Sequence, residues 1–174
     1  ASEYFGWGCT AKDFDSDGRP DLFLTGSYLP YGFVGSMRAN PGTLLLNDGA
    51  GGLTDFSATI PDHSERYTSG VAAGDYDGDG RIDLVVVTDA IDAAGDSGTP
   101  ILLRNTTPDS APWITLRVYG NGVDTNRDAV GARVRIVYGE APHRRAQIQE
   151  ITAGSSFLSM DSKWLTFGLG DVPA

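Results

Sequence analysis

Two stretches of this chain are near copies of each other, and they limit its fold more than any other feature. Asp13-Phe14-Asp15-Ser16-Asp17-Gly18-Arg19-Pro20-Asp21-Leu22 and Asp75-Tyr76-Asp77-Gly78-Asp79-Gly80-Arg81-Ile82-Asp83-Leu84 share the pattern D-aromatic-D-x-D-G-R-x-D-L, 62 positions apart. Carboxylates packed this densely repel one another unless a cation sits among them. Hard oxygen ligands at positions 1, 3, 5 and 9 of a tight loop, with a backbone carbonyl at position 7, are what Ca²⁺ selects. That pattern assigns Asp13, Asp15, Asp17, Asp21 and the carbonyl of Arg19 to one ion. It assigns Asp75, Asp77, Asp79, Asp83 and the carbonyl of Arg81 to a second. Gly18 and Gly80 fall at position 6, where the chain turns sharply. The competing reading is an Asp/Gly-rich turn that binds nothing. Repetition of every ligand position argues against it.

The loops are not EF-hands, which need a bidentate Glu at position 12 and a helix on each side. Position 12 is Leu24 in one copy and Val86 in the other, and neither can ligate. The apolar runs that follow, Leu22-Phe23-Leu24-Thr25 and Leu84-Val85-Val86-Val87-Thr88, read as buried strands.

Formal charge is −10, from 23 acidic against 13 basic residues. Eight of the acids stand in the two loops, so two bound Ca²⁺ would bring the net to about −6, an ordinary protein surface. The acidity is ligand chemistry, and it argues against a nucleic-acid partner, which needs a basic footprint. The one cysteine, Cys9, rules out an intramolecular disulfide framework and reads as a small buried strand residue, with an intermolecular disulfide as the alternative. No apolar run reaches transmembrane length, and the opening Ala1-Ser2-Glu3 does not read as a charged-then-apolar leader, as expected either of a chain never exported or of one whose signal has been removed. Weak calcium loops fill where the ion is near-millimolar, so the expected location is secreted or cell-surface.

The duplication extends past the loops. Short strands enter them at Phe5–Lys12 and Thr68–Gly74, and Thr43-Leu44-Leu45-Leu46-Asn47 echoes Ile101-Leu102-Leu103-Arg104-Asn105. In the first copy Asn47-Asp48-Gly49-Ala50-Gly51-Gly52 then turns into a fourth strand, Leu53-Thr54-Asp55-Phe56. Each unit is an antiparallel meander, and a repeat of this kind suggests propeller blades. The units resemble FG-GAP/VCBS repeats, the calcium-loop blades of integrin α-subunit propellers, through the loops, Phe5-Gly6 and the Asn47–Gly52 turn.

From Pro112 the pattern changes to strict alternation in Trp113–Val118, Ala132–Tyr138, Gln147–Ile151 and Trp164–Phe167, the mark of half-buried antiparallel strands. Asn126–Val134, Ile151–Ser159 and Phe167-Gly168-Leu169-Gly170 resemble the ASPIC/UnbV domain, which follows FG-GAP/VCBS repeats in proteins similar to cartilage acidic protein and in bacterial relatives. The expected fold is therefore all-β: two propeller-blade-like antiparallel repeats over 1–108 (about 1–60 and 61–108), then a small β-module over 109–174. A closed propeller needs at least about four blades, and the resemblance implies further strands after Phe-Gly-Leu-Gly, so both units are expected to be incomplete. Unpaired strand edges invite pairing with other chains, copies of this one included.

The other chemistry-bearing residues carry weaker signals. His63 and His143 sit in polar connections without a Cys or second His at zinc spacing, and read as solvated. Ser155 and Ser156 read as structural. Arg127 and Asp128 read as an ion pair ordering a turn, with a polar site as the alternative. Asn105-Thr106-Thr107 is a formal N-glycosylation sequence. Arg133, Arg135, Arg144 and Arg145 make a modest basic cluster, and Tyr28, Tyr31 and Phe33 read as packing aromatics. No nucleophile signature is present. The expected function is non-catalytic: an extracellular calcium-binding β-repeat protein for adhesion, surface structure or self-assembly, holding two Ca²⁺. The alternative is a glycan-binding or accessory domain of a polysaccharide-active enzyme.

Overall fold

The computed structural model describes residues 3–29, 42–61, 66–90, 98–108 and 111–171. The first repeat is a four-stranded antiparallel sheet of β1 (Glu3–Lys12), β2 (Asp21–Leu29), β3 (Thr43–Asn47) and β4 (Leu53–Asp55), paired in that order. The second is a three-stranded sheet of β5 (Arg66–Gly74), β6 (Asp83–Ala90) and β7 (Ile101–Leu103). Even the irregularities repeat: β1 bulges between Gly6 and Cys9, and β5 between Thr68 and Val71. The sequence-predicted meanders, and the extra strand of the first, are as expected.

The two sheets pack on one core. Phe14 and Phe23 from the first repeat meet Val71, Ala73, Ile82, Leu84 and Val86 from the second, all buried. Threonines stitch the inner strands beside it. Gly8 N–H donates to Thr25 Oγ1 (2.8 Å), Thr25 Oγ1 donates to the Ser69 carbonyl, and Gly26 N–H donates to Thr68 Oγ1 (3.1 Å). The expectation that the whole run of β6 is buried is corrected. Strand alternation sends Leu84 and Val86 into the core and turns Val85 (45 % exposed) and Val87 (44 %) away from it, beside exposed Leu102 on β7.

The remainder forms two short antiparallel ladders. With β8 (Trp113–Leu116), β9 (Arg133–Tyr138), β10 (Arg145–Glu150) and β11 (Leu165–Gly168) in chain order, β8 pairs with β11 and β9 with β10. Their core is Ala129, Ile151, Leu165 and Phe167. No α-helix occurs among the described residues, which hold a single 3-10 turn at Ser57–Thr59, so no helix there is long and apolar enough to cross a membrane.

A segment of this module wedges between β1 and β5. Asp161 is buried; its Oδ2 accepts Thr10 Oγ1–H (2.9 Å) and its Oδ1 accepts Ala73 N–H (2.9 Å). Lys12 lies 3.6 Å from the same carboxylate. Ser159 Oγ donates to the Val71 carbonyl (2.7 Å) and Ser162 N–H to the Ala73 carbonyl (2.8 Å). Cys9 is exposed, against expectation, because alternation sends its neighbours Gly8 and Thr10 inward. Its N–H donates to Ser156 Oγ (3.0 Å), and Ser155 Oγ accepts Asp161 N–H (2.8 Å), so both serines are structural as expected.

Candidate metal centre

Each loop leaves one strand and re-enters the next, so the ladder β1–β2 or β5–β6 fixes its two ends. Ligand oxygens of Asp13, Asp15 and Asp21 lie within 4.8 Å of one another, and those of Asp75, Asp77 and Asp83 do the same. Several surrounding hydrogen bonds repeat, but Asp75 Oδ1 accepts Gly78 N–H (2.8 Å) and Asp79 N–H (3.1 Å) where Asp13 Oδ1 accepts none among the described residues. Gly18 N–H donates to Asp13 Oδ2 and Gly80 N–H to Asp75 Oδ2, both at 3.0 Å. Both glycines have left-handed backbones, with φ of +88° and +85°, which residues with a Cβ adopt only at a cost.

The position-9 carboxylates are backbone ties as well as candidate ligands. Asp21 accepts the N–H groups of Phe14 and Asn47, each at 2.8 Å. Asp83 accepts those of Tyr76 (3.0 Å) and Asn105 (2.8 Å). The position-5 carboxylates stand outside the two groups. Asp17 accepts Arg19 N–H (2.8 Å) and pairs with the Arg19 guanidinium. Asp79 accepts Arg81 N–H (3.0 Å) and pairs with the Arg81 guanidinium. Each arginine also donates through Nε to the Asn carbonyl closing its repeat: Arg19 to Asn47 (3.2 Å) and Arg81 to Asn105 (3.0 Å).

Electrostatics separate the two loops. Burial pushes the Asp13 carboxyl from its ordinary 3.8 up to about 7, with Asp17, Asp15 and Asp21 adding to the rise and the Gly18 N–H opposing it. Burial also takes Asp21 up to about 6, against the N–H groups of Asn47 and Phe14. Asp17 and Asp83 are raised by burial too. Asp77, by contrast, is lowered by its hydrogen bond to Arg104. Arg104 reaches across the second loop, with Nε 2.7 Å from Asp77 Oδ2 and a terminal nitrogen 3.2 Å from Asp79 Oδ2.

Asp13 Oδ1 is buried and has no hydrogen-bond partner among the described residues. A charged oxygen removed from water and left without a donor is costly, and a cation relieves that cost directly. The donor set is entirely oxygen, so the residues fit a hard divalent cation rather than a thiolate- or imidazole-seeking metal.

Comparison with known protein families gives two matches. An FG-GAP-like repeat matches residues 13–86, spanning both loops, and an ASPIC and UnbV model matches residues 122–174. The chain joins FG-GAP-like repeats to an ASPIC and UnbV module. A search of curated proteins finds no match to it.

Other predicted residues fall away from the loops. His143 is exposed in the turn before β10, as expected, and His63, Tyr31 and Phe33 lie outside the described residues, as does the Tyr28 side chain. Asp128 pairs with Lys163 Nζ (2.6 Å) instead of Arg127, because β11 brings Lys163 alongside the turn. Arg133 pairs with Glu150 (2.8 Å), its cross-strand partner. Asn105 does more than head a glycosylation sequence. Its Nδ2 donates to the carbonyls of Phe14 (2.7 Å) and Ile82 (3.2 Å), and its Oδ1 accepts Thr107 N–H (3.0 Å). One sequence signal marks that structural role: the apolar strand after each loop closes on Asn.

Proposed function

We propose that this chain is an extracellular, non-catalytic β-repeat protein that binds two Ca²⁺, and that calcium holds its FG-GAP-like repeats in a form suited to adhesion, surface structure or self-assembly. The observation that carries the reading is the buried, unpartnered Asp13 Oδ1 inside a carboxylate group that the second loop repeats. In the first loop Asp13, Asp15 and Asp21 supply ligands, with Asp17 and the Arg19 carbonyl as the remaining members of the pattern. In the second, Asp75, Asp77 and Asp83 supply ligands, with Asp79 and the Arg81 carbonyl. One ion per loop cancels the repulsion and pins the turn between adjacent strands. The exposed face of Val85, Val87 and Leu102 supports the assembly part of the reading, since an apolar sheet face of this kind packs against another sheet.

Titration calorimetry with Ca²⁺ tests the proposal. The expected result is two ions per chain and a melting temperature that falls on adding EGTA. No heat at millimolar Ca²⁺, with melting curves that superimpose with and without chelator, sinks it. Sedimentation with and without Ca²⁺ tests assembly, and a strict monomer in both counts against that part.

The second reading, glycan binding, draws on a cleft of about 690 Å³ between the first repeat and the module, lined by Lys12, Arg19, Gln147, Gln149 and Glu150 among others. A glycan array and a hydrolysis screen separate it from a scaffold, which gives neither signal.

A further inference from the structure

We propose that the two loops do not fill independently: ion occupancy in one raises affinity in the other, through two structural bridges. The inference rests on the calcium reading above and goes beyond it, because it assigns the coupling to named residues.

The first bridge is one rung of the β8–β11 ladder. Gly168 and Trp113 are register partners there. Gly168 lies against the first loop so closely that a Cβ on it would sit 2.3 Å from Asp13 Oδ2 and 2.6 Å from Ser16 Cα. Two residues on, Gly170 N–H donates to the Ser16 carbonyl (3.0 Å). Gln147 holds the rung from behind, its Nε2 donating to the Gly168 carbonyl (2.6 Å) and to Tyr138 Oη (2.7 Å). At the other end of the rung, the Trp113 ring lies on Gly80 of the second loop, where a Cβ would sit 2.2 Å from Cε2. The position-6 glycine of one loop and the position-1 aspartate of the other thus touch the same pair of paired residues.

The second bridge runs through Asn105. Its N–H is held by Asp83 of the second loop, and its Nδ2 donates to the carbonyl of Phe14 in the first. Phe14 N–H in turn is held by Asp21. A carboxylate from each loop therefore grips one continuous chain of hydrogen bonds.

These contacts are close-packed, so a shift of either loop on taking up an ion displaces a partner shared with the other. Thermodynamic linkage requires such a coupling to be reciprocal, and couplings between sites are usually worth about 5- to 150-fold in affinity. The test is a cycle with Ca²⁺ as the probe. Asp75→Asn disables the second loop, and the affinity of the first is read by calorimetry; Asp13→Asn does the reverse. Expected is a loss of about fivefold or more at the surviving loop in each case, by the same factor. Repeated in Trp113→Ala/Asn105→Ala, the loss should shrink below the roughly fivefold at which typical coupling begins. Trp113→Phe, which keeps a ring on Gly80, should preserve most of it and serves if the double variant does not fold. Equal affinity at one loop whether the other is intact or disabled overturns the coupling while leaving the calcium reading in place. Coupling undiminished in the folded double variant overturns the assigned bridges. Absence of any Ca²⁺ binding by the unmodified chain overturns the reading beneath.

Discussion

Replacing Asp13 by Asn should change sign with calcium. The Asp13 carboxyl is pushed up from 3.8 to about 7 chiefly by burial. At about 1.4 kcal/mol per tenfold in proton affinity, holding it charged in the empty fold at neutral pH costs up to about 4 kcal/mol. Asn removes the charge and keeps an oxygen for Gly18 N–H, whose bond to Asp13 Oδ2 is 3.0 Å. Its amide also places a donor where Oδ1 now has no partner, beside the oxygens of Asp15 and Asp21. Allowing for imperfect amide geometry, the metal-free protein should gain about 1–2 kcal/mol. For a chain of this length that is a rise of about 2–8 °C in melting temperature. With saturating Ca²⁺ the order reverses: the unmodified protein gains the binding free energy of a site that Asp13→Asn has lost. The assay is a pair of thermal melts for each protein, one in EGTA and one in millimolar CaCl₂, at a pH of about 7.5, above the raised carboxyl value so that the charged form prevails. A variant that melts lower than the unmodified chain in EGTA refutes the argument from burial. An Asp13→Asn effect of the same sign and size in both buffers refutes the metal site, since that is what an inert turn would show.

Arg104→Leu, which installs the residue found at the equivalent Leu46 of the first repeat, should raise Ca²⁺ affinity of the second loop about threefold or more at low salt by removing a cation from Asp77 and Asp79; calorimetry on an Asp13→Asn background reads it. Asn105→Ala should cost about 1–3 kcal/mol, because the carbonyls of Phe14 and Ile82 lose a donor, seen as a lower urea midpoint. Gly80→Ala should destabilise by clearly more than Gly78→Ala in the same melt. Their φ angles are alike, +85° and +77°, but only Gly80 has Trp113 where the Cβ must go; equal losses would mean that the ring moves freely.

The local half of this architecture was legible because its signals are local. Loop chemistry, strand alternation and the Asn47–Gly52 turn each involve residues a few positions apart, and the structure has β1 to β4 where those signals put them. Burial was less legible, since an apolar run such as Leu84–Thr88 looks the same whether one face or both are covered. Val85 and Val87 are exposed because no second sheet among the described residues covers them, which composition does not encode. The same limit explains Cys9, where alternation relative to Gly8 and Thr10 decided the outcome. Long-range partners were not legible at all. Nothing near Asp161 announces that it will bridge Thr10 and Ala73, and nothing near Trp113 announces Gly80.

Two loops with one sequence pattern are thus not two equal sites. The shared pattern fixes the groups that can ligate, but neighbours from elsewhere in the chain decide how costly each loop is without an ion. The first has Leu46 where the second has Arg104, and it is covered by Gly168, Gly170 and Gln147. Burial leaves Asp13 and Asp21 desolvated, with neither in an ion pair among the described residues, and both rise accordingly. In the second loop a tethered guanidinium already neutralises part of the charge, and Asp77 falls. A desolvated group lacking a cation has more to gain from one than a group that already has one. The module that covers the first loop is therefore part of what makes that loop need its ion.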